Sequence, residues 1–320
     1  MEALQSPGRI SQIFAKLREA GAHAYAGWGK FFFEADAVET MRLFRLCLGI
    51  LLFVAYVIRA VDNEFYFGAN GVIQVDKMLD SFPMKYRWSL LVWFPGEGML
   101  WGTTIVLLIS LMTMALGFFP RVSAAIAYFL HVSFMHRNMG IVYGLDMIST
   151  YFLFYFIFAK TDAPPTRKDS WSTLLTSAAL RLCQIQICII YAFSGWEKLK
   201  GLSWWKGEAI WTVFANSQIA RFQMNWISHF PLVITLLTYM TLLWEIYFPV
   251  VIWSKKLRPW ILVGGVGLHL GIGVVVFIPF FSALMVISYI TFLTPEESKW
   301  ALRRVKYLIP FLRVETTHSG

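Results

Sequence analysis

Charge is what this sequence has least of. Only 15% of its 320 residues are Asp, Glu, Lys or Arg, whereas 58% are hydrophobic. Soluble domains carry roughly a quarter charged residues, so the chain lacks the polar groups to cover a water-facing surface. Cysteine is scarce too. Cys47, Cys183 and Cys188 all fall inside apolar runs, which argues against a disulfide framework or a metal site and leaves them as small buried hydrophobes. There is no His-Glu-x-x-His pair, no phosphate-binding loop, no glycine fingerprint after a strand and no nucleophile elbow. Neither an internal repeat nor a low-complexity segment stands out. The first apolar run of span length begins near Leu43, so a cleavable signal peptide is not expected.

What the chain does have is long apolar runs. They predict an all-α integral membrane protein of about eight transmembrane helices in one bundle, with amphipathic interfacial helices at both ends. Spans are expected at 43–61, 100–118, 122–135, 145–159, 179–194, 231–252, 260–278 and 280–293. The third, fourth, fifth and eighth are short, which is tolerated where span ends meet protein-lined polar ground. The stretch 260–293 is too long for one ordinary span and is divided at Pro279, which removes a backbone donor; one kinked helix is the alternative. The transmembrane domain thus covers 41–293, between an interfacial segment (1–40) and a basic helix and tail (294–320).

The net charge is +9. Its basic residues lie mostly between apolar runs and in the two tails, a placement that suits anionic membrane lipids and not nucleic acid. Lys and Arg are concentrated on the side holding both termini, Arg121, Lys160, Arg167 and the Lys255–Arg258 loop. The positive-inside rule then puts both termini in the cytoplasm of an inner membrane. Ile10, Ile13, Phe14 and Leu17 recur at helical spacing beside Arg9, Lys16 and Arg18, and Thr294-Pro295-Glu296-Glu297 has the form of a helix start. Arg45 and Arg181, near inner span ends, read as snorkelling anchors, while Arg59 lies near an outer end.

Three loops on the opposite side, facing the periplasm or exterior, are rich in polar residues. They contain Asp62 to Gly71, His136 to Asp146 (with Arg137 and Asn138), and Tyr191 to Ala209 (with Lys198 and Trp204). Singly, each reads as an aromatic belt with solvated charges; together they point to a site. Lys198 ends an apolar helix beside Glu197. A lysine withdrawn from water can serve as a base, and one paired with Glu197 or lipid phosphate is the plain alternative. Glu245 and His269 sit inside the sixth and seventh spans, where ionisable groups are costly; pairing with each other would explain both. Lys198, Arg137, Asp146 and His269 are expected to share one water-poor recess.

The order of several short motifs carries a resemblance. Phe65-Tyr66-Phe67-Gly68-Ala69-Asn70-Gly71-Val72 is followed by Arg137-Asn138, Tyr143-Gly144-Leu145-Asp146 and Tyr191-Ala192-Phe193-Ser194-Gly195-Trp196-Glu197-Lys198-Leu199. Then come Ser203-Trp204-Trp205-Lys206-Gly207-Glu208-Ala209, Glu245-Ile246-Tyr247-Phe248-Pro249-Val250 and Leu268-His269. Over roughly 41–293 this order resembles the HTTM (horizontally transferred transmembrane) domain family, relatives of the membrane part of vitamin K-dependent gamma-carboxylase. The resemblance implies lyase- or oxygenase-type chemistry on a reduced menaquinone- or vitamin K-type quinol, with no metal. Lys198 would be the base and His269 a second catalytic group. Arg137, Asn138, Asp146, Glu245 and Trp204 would bind the cofactor. Met139 stands where the carboxylase has a histidine, and 294–320 bears no counterpart of its large lumenal domain. The expected substrate is therefore something other than a peptide glutamate. A non-enzymatic partner in maturation or export of a secreted peptide is the alternative function, and a transporter ranks last.

Overall fold

Prolines and hydroxyl–acid pairs mark where several helices of this chain begin. The computed structural model describes residues 9–34, 36–81, 87–162 and 170–308, and for 9–15, 17, 81 and 306–308 it describes the backbone alone. The first half holds α1 (Arg9–Phe33), α2 (Val38–Ala60), α3 (Asn63–Phe67), α4 (Val75–Ser81), α5 (Leu90–Trp93), α6 (Glu97–Leu116), α7 (Pro120–Arg137) and α8 (Gly144–Phe156). The second holds α9 (Trp171–Leu199), α10 (Leu202–Trp205), α11 (Ala209–Phe214), α12 (Pro231–Val251), α13 (Arg258–Val275), α14 (Pro279–Ser288) and α15 (Pro295–Leu308). Proline opens α7, α12 and α14, where its missing N–H costs nothing and its φ is already helical. Ahead of α15, Thr294 Oγ1 accepts from the Glu297 N–H at 3.2 Å and Glu297 Oε2 accepts from the Thr294 N–H at 2.7 Å, the reciprocal cap expected there.

Five of these helices, α2, α6, α9, α12 and α13, are long and apolar enough to cross a membrane. Each expected span overlaps a helix, the other three being α7, α8 and α14. The stretch divided at Pro279 forms two helices: α13 stops at Val275, and α14 returns along it, bringing the His269 and Tyr289 rings to 6.2 Å. Phe277 takes a left-handed φ of 55° in the intervening turn.

The packing follows from where the apolar surface goes. Helix α2 lies against α6, α9, α14 and α15, α6 against α7, and α7 against α8. Phe44 of α2 is fully buried and meets Phe152 edge-on at 5.0 Å, with Leu48, Leu107, Leu111 and Phe156 buried around it. Helix α9 packs on α12, and α13 packs against both α12 and α14. Leu232, Met240 and Val250 of α12 and Val263, Leu270 and Val274 of α13 remain exposed. So much apolar surface facing outward suits lipid as the surrounding medium.

At the ends of the helices two expectations change. Arg45 does not snorkel: it is 7% exposed, and its guanidinium donates to the Thr161 carbonyl at 3.1 Å and to Thr161 Oγ1 at 2.5 Å. The chain leaving α8 brings acceptors closer than water would be. Arg181 instead secures α1, donating to the Phe31 carbonyl at 2.9 Å with its guanidinium 4.5 Å from the Phe31 ring. The stripe of Ile10, Ile13, Phe14 and Leu17 belongs to side chains outside the description.

Candidate functional site

The four residues expected to share one recess lie in two separate clusters. One joins α2, α7 and α8. Here Arg59 grips Asp146 with two parallel bonds of 2.6 and 3.0 Å, the fork geometry that makes arginine–carboxylate pairs strong. Asp146 Oδ2 also accepts from the Tyr143 N–H at 3.2 Å, closing the first turn of α8. His131 is fully buried behind this pair, with Nε2 2.9 Å from the Asp146 carbonyl and Nδ1 2.8 Å from the Tyr56 hydroxyl. A carbonyl only accepts, so Nε2 carries a proton, and in the neutral ring Nδ1 accepts from Tyr56.

Arg137 and Asn138 turn toward the first loop. Arg137 donates to the Ile73 carbonyl at 3.0 Å and to the Gly68 carbonyl. Asn138 Nδ2 donates to the Tyr66 carbonyl at 2.8 Å, and its Oδ1 accepts from the Gly140 N–H at 3.1 Å. Both side chains thereby satisfy loop backbone that would otherwise be buried unpaired. The space beside Asn138 and Asp146 amounts to about 10 Å³, room for at most a single water. In this arrangement Arg137, Asn138 and Asp146 hold the loops in place.

The second cluster lies between α9, α12, α13 and α14. Lys198 Nζ donates to Ser194 Oγ at 2.7 Å and sits 2.7 Å from Glu245 Oε2. That oxygen makes no aligned hydrogen bond, so the contact is a charge pair. The Trp204 ring centroid lies 5.3 Å from Nζ, within cation–π range. Close approach of α9 and α12 depends on Gly195, where a Cβ would stand 3.0 Å from Ile246 Cγ1 and 3.2 Å from its backbone nitrogen. Glu197, the alternative partner offered by the sequence for Lys198, pairs with Lys200 at 2.6 Å. Successive residues on a helix point about 100° apart, so sequence neighbours face different surroundings.

One helical turn and more below, the Tyr191 hydroxyl is 2.6 Å from both His269 Nε2 and the Tyr289 hydroxyl. Tyr191 is the central member, each hydroxyl can donate and accept, and the His269 tautomer sets which way the chain runs. Trp244 and Phe248 enclose it, their rings 4.7 and 4.4 Å from Tyr191. His269 Nδ1, Trp244 Nε1 and Ser282 Oγ are buried there without a protein partner. Buried polar atoms are rarely left so.

The structure brings Lys198, Glu245 and Trp204 together and sets His269 beside Tyr191 and Tyr289. Tyr191, Tyr289 and Ser194 were missed as members of these groups. The first and third share the Lys198 face at spacings of seven and four residues, a signal that was available. No family model, curated protein or solved structure matches the chain.

Proposed function

We propose that this protein is a carboxylase-like (HTTM-type) multi-pass enzyme of the inner membrane, and that it binds a reduced menaquinone-type quinol between α9, α12, α13 and α14. Eight helices span the bilayer in this reading, with both termini in the cytoplasm. The observation that carries it is the Lys198–Glu245 pair, 2.7 Å apart, with the His269–Tyr191–Tyr289 chain in apolar surroundings farther along α9.

The chemistry follows from which protons can move. As an amine, Lys198 would be a base for a quinol hydroxyl, with Ser194 to orient it and Glu245 beside it. Bound quinol would supply reducing equivalents to oxygen; the side chains supply binding, exclusion of water and a route for the proton. Tyr191, Trp244 and Phe248 pack on one another with centroids 4.4–5.0 Å apart, which keeps water from this part of the bundle.

The test is direct. Purified protein in lipid nanodiscs receives menaquinol under air, and oxidised or epoxidised quinone is followed by chromatography. Wild type should turn over, with Lys198→Ala and Glu245→Gln slower by about 100-fold or more. Wild-type turnover indistinguishable from protein-free nanodiscs would end the enzymatic reading.

A further inference from the structure

Helix α7 presents an open apolar groove with a single cation at one end. Val122, Ala125, Ile126 and Phe129 form one stripe of that helix, and Ile157 at the end of α8 borders it on the other side of a shallow groove open to the surroundings. Arg121 stands in the first turn of α7 and is exposed. Its Nε donates to the Ile157 carbonyl at 3.0 Å, which fixes the guanidinium over the mouth of the groove and leaves its two terminal nitrogens for another acceptor. Among the described residues no acid pairs with it. At the other end the Trp88 ring closes on Phe129 at 5.8 Å.

The dimensions match one leaflet. From Arg121 to Phe129 the helix rises about 12 Å, close to half of a hydrocarbon core of about 30 Å. A groove beginning at headgroup level and stopping near the midplane has the length of a single acyl chain. The uncompensated guanidinium at its mouth favours phosphate with net negative charge over a zwitterionic headgroup. We infer that this groove is a binding site for one anionic phospholipid, whose phosphate is held by Arg121 and whose acyl chain lies along Val122, Ala125 and Ile126. The inference rests on the membrane-spanning reading of α7, and not on any enzymatic activity.

Native mass spectrometry of the whole protein, released from nanodiscs of equal phosphatidylglycerol and phosphatidylcholine, reads the site directly. Wild type should retain one phosphatidylglycerol per chain, with a preference of about fivefold over phosphatidylcholine. Arg121→Gln should abolish the preference, and Ala125→Trp, which fills the groove, should remove the retained lipid. Arg304→Gln, at an exposed position on α15, should change neither. Folding of each variant is checked by its elution volume and Tm. Equal retention of the two lipids by wild type means annular lipid only and overturns the proposal, as does an unaltered preference in Arg121→Gln. Retention unchanged by Ala125→Trp would overturn the acyl groove.

Discussion

Lys198 near the C-terminal end of α9 and Glu245 within α12 meet at 2.7 Å, although 47 residues separate them in the chain. The side chain of Glu245 is 8% exposed and that of Lys198 22%. Removing one member of such a pair leaves the other charge stranded, whereas removing both leaves nothing to desolvate. Lys198→Met should therefore cost about 3 kcal/mol of stability, and Lys198→Met combined with Glu245→Leu should recover much of that loss. Thermal unfolding in detergent measures the difference. A double variant less stable than either single would mean that the two charges do not face one another.

The Arg59–Asp146 fork supports a different expectation, about geometry more than charge. Asp146→Ala strands a half-buried guanidinium and also opens the first turn of α8, and should lower stability by about 3–5 kcal/mol. Arg59→Lys keeps the charge but cannot span both carboxylate oxygens, so it should be intermediate between wild type and Arg59→Met. If Arg59→Lys unfolds at the wild-type Tm, the bidentate contact contributes nothing that a point charge cannot.

Helix positions were readable in this sequence because apolar runs of span length report directly on burial in lipid. Proline at position 279 was readable as a break because its chemistry is local. Pairing was not. Lys198 had Glu197 beside it and Glu245 far away, and only the approach of α9 to α12 at Gly195 decides between them. The same limit hid the tyrosines: Tyr289 joins the site through the reversal between α13 and α14, which brings it back to His269. Arg137 and Asn138 were singled out by the motif order, and their partners in the structure are loop carbonyls, which sequence composition does not record.

Topology gives a third prediction. In the proposed orientation, residues near 76 and 200 face outward and those near 255 and 299 face the cytoplasm. Single cysteines placed at Asp76, Lys200, Lys255 and Lys299, in a chain whose Cys47, Cys183 and Cys188 are replaced by alanine, should divide accordingly. The first two should react with an impermeant maleimide on intact cells, the last two only after permeabilisation. Labelling of Lys200→Cys and Lys255→Cys from the same side would remove α12 as a span and the orientation with it.

Two glycines on α13 separate packing from propensity. A Cβ at Gly265 would collide with the Tyr289 hydroxyl and stand 2.7 Å from Trp244 Cζ2, whereas one at Gly267 would meet nothing within 4 Å. Alanine at an open helical position gains about 0.5–1 kcal/mol by restricting the unfolded chain, so Gly267→Ala should be neutral or slightly stabilising. Gly265→Ala must displace a tyrosine that is held at 2.6 Å by Tyr191, and overpacking of this kind costs about 1–3 kcal/mol. It should also lower quinol turnover, because Tyr289 cannot move without loosening the chain to His269. Tm and turnover measured together distinguish the two effects. A Gly265→Ala protein as stable as Gly267→Ala would show that α13 does not approach Tyr289 as closely as described, and the tyrosine–histidine chain would lose its geometric basis.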